Sequence, residues 1–254
     1  MYPERIGGTY SYIYELGRRL AAKGHRVDVI ASTRAPEAGP EEEIEGIRVH
    51  RYAYRKVNPF YSTLQHLRNA YNIFERLASR DTVDVLGIHD THLGLRIARS
   101  RLGRSVCQIP TYHAPSFLEY RFDTQWRIEA EPSPLRRTAL RLMEPPMERW
   151  QWRFEAGVLG AAHGILVLSE YTRSHIRNHF PRVDLDRVKI IPSGVDTERF
   201  APAPDRASVR RTLGIDQDAI ELLTVRKLAP RMGLENLLRA VARVRESGAP
   251  DASR

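Results

Sequence analysis

A single cysteine, Cys107, is all the thiol in this 254-residue chain. One thiol cannot close an intrachain disulfide, so the composition reads as that of a protein kept in a reducing cytoplasm. Lysine is nearly as scarce, with only Lys23, Lys56, Lys189 and Lys227 among the 40 basic residues. The resulting excess of arginine is what a biased genome base composition would also leave, and by itself it is no sign of binding. Long apolar runs are missing too: none approaches the roughly 20 residues that a membrane-spanning helix needs, and the N-terminus has no apolar signal-peptide core. Four signatures of chemistry are absent, namely Gly-x-Gly-x-x-Gly, Gly-x-Ser-x-Gly, His-Glu-x-x-His and Cys-x-x-Cys. Their absence removes the minimum residues for a dinucleotide oxidoreductase, a serine hydrolase of the elbow type, a zinc protease and a thiol-redox enzyme.

What is present is ordinary in amount and informative in order. Apolar residues make up 42% and charged residues 28%, the usual balance of a globular protein, and the length allows one large domain or two smaller ones. The formal charge is +9 and the isoelectric point about 9.9. Such a chain is drawn to something anionic: nucleotide phosphates, nucleic acid or an acidic leaflet.

Gly7-Gly8-Thr9 runs into a helical pattern with Ile13, Leu16 and Leu20 on one face, closed by Gly24. A glycine turn of this kind normally follows a strand, yet Met1 to Gly8 holds none, so the sheet is expected to begin one strand short. Val27 to Ala31 reads as a buried strand, Arg34 to Gly46 as an exposed acidic loop, and Ile47 to Tyr52 as an edge-like strand. Asn58-Pro59 is an N-cap followed by proline at the first helical position, opening a helix to about Ser79. Strands are expected at Asp84–His89, Ser105–Tyr112, Gly164–Leu168 and Arg187–Ile191, with helices over Leu93–Leu102 and from the cap Ser169 to His179. The repeated alternation predicts an α/β fold, a Rossmann-like, doubly wound, mostly parallel sheet. After a proline-rich link, Ala207–Leu213 reads as a helix and Glu221–Val225 as a strand. Leu234, Leu237, Leu238, Val241 and Val244 then share one helical face.

Between Pro115 and Ala156 the alternation lapses. Pro132, Pro134 and the pair Pro145-Pro146 are expected to break or kink any single helix. Arg136, Arg137, Arg141, Arg149, Trp150, Trp152 and Arg153 mix cations with aromatic anchors, a face suited to a membrane surface or an anionic acceptor. The plainer reading, a helical insertion whose tryptophans pack on the sheet, is favoured because the apolar stripe is interrupted.

Ile191-Pro192-Ser193-Gly194-Val195-Asp196, with Phe200 four residues on, and Leu228 to Gly233-Leu234 form the joint between the two α/β runs. This combination resembles the interdomain connection and first C-domain loop of family 4 retaining glycosyltransferases of the two-Rossmann GT-B type. The resemblance is strongest over Gly7–Ser32 and Ser169–Ala240. It implies an N-terminal acceptor-side domain over residues 1–191 lacking its first strand, a linker over 192–206, and the beginning of a nucleotide-sugar-binding domain over 207–254. It also implies transfer of a hexose from a nucleotide diphosphate sugar to a glycan, lipid or small-molecule hydroxyl, with retained anomeric configuration and no metal or other cofactor. The family's glutamates for donor sugar and ribose are expected beyond residue 254, so the fragment alone is expected to be inactive. The implied setting is cytoplasmic, with peripheral contact to an anionic membrane allowed and no nucleic-acid partner expected. The rival from another class is a non-catalytic basic module that binds nucleic acid or an anionic membrane; steep weakening by salt would mark it.

The residues for such chemistry follow from position. Arg226, Lys227 and Arg231 lie in a loop before a helix N-terminus, where free N–H groups and the helix dipole favour an anion and could neutralise a leaving diphosphate. In the resembled family this is the donor-phosphate loop; here Lys227 stands where arginine is usual and Met232 where lysine is usual. Gly7 and Gly8 match the family's glycine pair that lets backbone approach the donor phosphate. His113 ends a strand at the carboxyl edge of the sheet, where α/β folds bind ligands, and matches the family histidine that faces the transferred sugar. His89 and Tyr112 are acceptor-side candidates at or near the same edge. No metal site is expected.

Overall fold

The computed structural model describes residues 7–33, 39–53, 58–226 and 228–247; Met1–Ile6, where the sequence holds no strand signal, and Lys227 lie outside the described residues. The chain divides into two units, Met1–Leu118 with Leu142–Ser193, and Glu119–Arg141 with Gly194–Arg254.

In the first unit, helix α1 (Gly8–Ala22) ends where its capping residues dictate. Gly24 takes φ 85°, and the N–H groups of Gly24 and His25 return to the carbonyls of Ala21 and Leu20 at 2.9 and 3.1 Å. This pairing satisfies carbonyls the helix would leave bare, and only glycine takes that φ without cost. A Cβ on Gly17 would stand 2.9 Å from Ile47 Cδ1, so α1 lies tight against strand β3 (Ile47–Ala53). Strand β1 (Val27–Thr33) runs parallel to β3, Val27 opposite Ile47 through Thr33 opposite Ala53.

The acidic stretch expected to be a loop instead contributes strand β2 (Glu41–Ile44), antiparallel to β3. Its cause is the two-residue turn Glu45-Gly46, with φ 48° and 78°, whose twist matches a hairpin and overrides the low strand propensity of glutamate. β3 is therefore the middle strand of the order β1-β3-β2 rather than an edge.

Helix α2 (Pro59–Arg80) begins at Asn58, whose side chain accepts from the Tyr61 N–H at 2.8 Å. Strands β4 (Val85–Ile88), β5 (Cys107–Tyr112), β6 (Ile165–Val167) and β7 (Val188–Ile190) form a second, all-parallel sheet in that order. Helix α3 (Thr91–Arg99) and the short α4 (Arg101–Arg104) cross from β4 to β5, as parallel pairing requires. The expected doubly wound α/β architecture is thus present. Ile30 of β1 and Leu86 of β4 share one apolar cluster with Ala70 and Phe74 of α2 and Ile97 of α3, so helices join sheets that are not hydrogen-bonded to each other.

A second cluster sets Tyr112, Phe117, Leu159, Ile165, Val167, Ile176, Phe180 and Val188 together. It draws on helix α7 (Glu170–His179), capped by Ser169 Oγ on the Thr172 N–H. It also anchors the end of helix α6 (Pro134–Ala161), which runs unbroken through Pro145 and Pro146. The expected break does not occur. Two lost backbone bonds are costly, but buried Phe154, Val158 and Leu159 hold the helix to the core beyond the prolines. Trp152 stacks on Phe180, centroids 5.8 Å apart and planes 7° apart, and donates to the His179 carbonyl. Trp150 meets Phe154 edge-on. Both tryptophans therefore pack within the first unit. Among the described residues no helix is long and apolar enough to cross a membrane.

In the second unit, helix α5 (Ser116–Ala130, its first turn belonging to the first unit) accompanies α8 (Arg206–Thr212) and α9 (Leu234–Glu246). Buried Arg210 donates to the carbonyls of Asp216 and Ala219, wrapping residues 213–219 around its guanidinium. The expected strand Glu221–Val225 is extended chain without a ladder, with Leu222, Leu223 and Val225 exposed. A strand needs a neighbour to pair with, and no described segment pairs with this one.

Candidate functional site

Strand ends β4 and β5 lie side by side because the two strands pair parallel, with Ile88 opposite Pro110. Each continues into a histidine just past its last paired residues, and the two rings meet: His89 Nδ1 is 3.1 Å from His113 Nε2, with centroids 5.4 Å apart. Tyr12, from the second turn of α1, packs edge-on to His113 at 5.1 Å and tilted against His89 at 5.7 Å. Both rings are half-buried. Burial holds His89 well below the usual histidine value, at about 4, with the neighbouring His113 adding to the effect, and burial lowers His113 as well. Near neutral pH the pair is uncharged, because a proton would cost desolvation and face the other ring.

The adjacent acid does not alter that balance. Asp90 caps α3, its carboxylate accepting from the N–H groups of His92 and Leu93 at 2.9 and 3.1 Å. His92 turns away and stacks on Phe154. Among the described residues no three His, Cys, Asp or Glu side chains are grouped to hold a metal ion. What the arrangement can do is present neutral imidazole nitrogen to a hydroxyl at the carboxyl edge of a parallel sheet.

Tyr112, the other candidate at this edge, is buried, and its hydroxyl donates to Glu155 Oε2 at 2.8 Å. Glu155 also receives the Ser116 N–H at 2.6 Å and the Ser116 hydroxyl. Burial pushes its carboxyl above the ordinary carboxylate value, while the bonds from Ser116 and Tyr112 pull it down. Sequence reasoning missed Glu155 and Tyr12. A lone acid inside Phe154-Glu155-Ala156-Gly157-Val158-Leu159 was a signal for the first; Tyr12 had none, since only the fold brings α1 to the strand ends.

Gly7 takes an extended φ of 169°, and its carbonyl accepts the Ser11 N–H. A Cβ on Gly7 would meet Tyr10 at 3.2 Å, whereas one on Gly8 would meet nothing within 4 Å among the described residues. Among the described residues neither packing nor backbone strain therefore demands glycine at position 8.

The phosphate-loop candidates belong to the second unit. Arg226 Nη2 lies 3.4 Å from the Met232 sulfur, and Arg231 pairs with Glu119 Oε1 at 2.5 Å and Asp123 Oδ1 at 3.5 Å. The Arg231 charge is thus met by two carboxylates of α5. Gly233, at φ 68°, turns the chain into α9.

Comparison with known proteins bears on both units. The model of Glycosyltransferase Family 4 matches residues 6–199. The chain belongs to that family. Among its relatives, the D-inositol 3-phosphate glycosyltransferase of Stackebrandtia nassauensis is 28% identical over 250 residues, covering 94% of this chain and 51% of that protein. The enzyme of the same name from Geodermatophilus obscurus is 26% identical over 244 residues, 94% of this chain and 50% of the relative. A GDP-mannose-dependent alpha-(1-6)-phosphatidylinositol monomannoside mannosyltransferase of Mycolicibacterium smegmatis is 37% identical over 83 residues, 32% of this chain and 21% of its own. The chain spans about half the length of the relatives it matches from end to end.

Proposed function

We propose that this chain is the acceptor-side part, with the start of the nucleotide-sugar-binding part, of a retaining glycosyltransferase that moves a hexose from a nucleotide diphosphate sugar to an acceptor hydroxyl. The observation that carries the reading is the neutral histidine at position 113, set at the carboxyl edge of a parallel sheet in a chain whose residues 6–199 match the family. In this mechanism the leaving diphosphate helps to deprotonate the acceptor, and His113 positions the sugar through a hydroxyl contact. Gly8, which packing among the described residues does not require, leaves backbone at the start of α1 that a ligand can approach closely. Arg226, Lys227 and Arg231 neutralise the diphosphate without a metal; Arg231 must first leave Glu119 and Asp123. The three named relatives all carry inositol in their names, so inositol-bearing acceptors are the first to test. The setting is cytoplasmic, and an acceptor carried on lipid would bring the protein to the membrane surface.

The test is transfer kinetics with GDP-mannose and UDP-sugars on inositol phosphate, in an enzyme carrying this chain at the length of its relatives. His113→Ala is expected to lower turnover by about 10²-fold through lost geometry, with nucleotide affinity nearly intact by calorimetry. Unaltered turnover would remove His113 from the site.

A further inference from the structure

We propose that His89 is a positioning residue that fixes both the ring orientation and the tautomer of His113, with Tyr12 packed against both rings. The inference rests on the reading above only for its purpose; the geometry stands without it.

His89 offers Nδ1 and His113 offers Nε2 across 3.1 Å, a normal distance for one N–H···N hydrogen bond. One proton fits between the rings. If His113 Nε2–H donates, His89 Nδ1 is bare and the His89 proton must sit on Nε2. If His89 Nδ1–H donates, His113 Nε2 is bare and its proton must sit on Nδ1. Two neutral rings joined in this way therefore share one tautomer name, both Nε2–H or both Nδ1–H. The Nε2–H form is the intrinsically preferred one for a neutral histidine side chain, and adopting it on both rings costs neither of them.

The consequence is a defined chemistry at the free nitrogen of His113. With Nε2–H donated to His89, Nδ1 of His113 carries a lone pair and accepts a hydrogen bond from a sugar hydroxyl. Without His89 the ring would be free to rotate and to exchange tautomers, and it would meet the substrate as a mixture of donor and acceptor. Tyr12 supports the arrangement by contact: its ring meets both imidazoles, edge-on to one and tilted to the other. Asp90 is engaged as the cap of α3, so the partner that orients His113 is a second imidazole rather than a carboxylate.

The experiment is long-range proton–nitrogen correlation NMR of imidazole nitrogens in the ¹⁵N-labelled 254-residue chain near neutral pH, the peaks assigned by His89→Asn and His113→Asn. The expected result is a single tautomer at each ring, Nε2–H at both. In His89→Ala, His113 should pass to the averaged signals of an unconstrained ring. In His89→Asn, whose amide stands near the place of Nδ1, the wild-type His113 pattern should persist. Opposite tautomers on the two rings of the wild-type chain would overturn the proposal, a result read without any variant. An unchanged His113 pattern in a folded His89→Ala chain would overturn it too. No donor or acceptor enters the measurement, so absence of sugar transfer in the longer enzyme would count against the glycosyltransferase reading and leave this result separate.

Discussion

Replacing Gly94 by alanine puts a methyl group where the fold has no room for one. Gly94 is in the middle of α3, and an ideal Cβ there would lie 2.3 Å from Cγ2 of Ile88, the last residue of β4, and 3.5 Å from its Cβ and Cδ1. The near atom is a branch directly on the Ile88 Cβ, so no rotation at the end of a flexible side chain relieves the clash. Overpacking of this kind costs about 1–3 kcal/mol, and a 2.3 Å approach calls for the upper end. Alanine returns about 1 kcal/mol of helix propensity over glycine, leaving a net loss near 2 kcal/mol. At about 2–4 °C per kcal/mol for a chain of this size, the unfolding midpoint should fall by about 4–8 °C. Circular dichroism melts of wild type, Gly94→Ala and Gly94→Ala/Ile88→Leu read the effect; leucine has no Cγ2, so the double variant should recover much of the loss, a coupling expected for residues in contact. Gly160→Ala, where a Cβ would meet nothing within 4 Å among the described residues, should leave the midpoint level or slightly higher. A Gly94→Ala midpoint at or above wild type would refute the close packing of α3 on β4.

Glu155→Leu should destabilise the fold by about 1–3 kcal/mol at acid pH, since the buried Tyr112 hydroxyl and the Ser116 N–H lose the side chain they bond to. Its pH dependence has a definite sign: the folded pKa lies above the ordinary 4.5, so the folded state holds the proton longer than the unfolded one. Wild-type stability then falls as pH rises from about 4.5 through the folded value, and in urea melts the gap to Glu155→Leu should narrow over that range; a gap that widens would contradict the assignment. His89 runs the other way, its folded pKa near 4 against an ordinary 6.5, so stability should be lost as pH falls through that interval, less so in His89→Asn. Glu119→Gln should free Arg231 from its nearest carboxylate; a half-exposed ion pair is worth about 0–1 kcal/mol, so calorimetry should show nucleoside diphosphate affinity of the longer enzyme rising by up to about fivefold, and a fall would place Glu119 in the ligand's service.

Much of this was legible in the order of residues. Val27–Ala31, Ser105–Tyr112 and the cap at Ser169 announced a parallel α/β fold because apolar runs, polar caps and turn glycines are local facts. The histidines at positions 89 and 113 could be placed at strand ends from the same pattern, but their contact follows from β4 pairing with β5 in register, which no local signal specifies. Tyr12 is further still, since its place depends on how α1 folds back through the Gly17–Ile47 approach. Two local signals were overruled. Pro145-Pro146 should have broken a helix that packing on either side of Val158 keeps whole, and Glu221–Val225 has strand composition without a pairing partner. The carboxylate grip on Arg231 spans 112 residues of sequence, beyond the reach of any motif.

Retention of configuration at the transferred sugar is the claim that a single measurement tests most directly. Product formed from GDP-α-mannose on an inositol acceptor, by an enzyme carrying this chain at the length of its relatives, should show by carbon–proton coupling at the anomeric centre the same α configuration as the donor. A β-linked product would contradict the account.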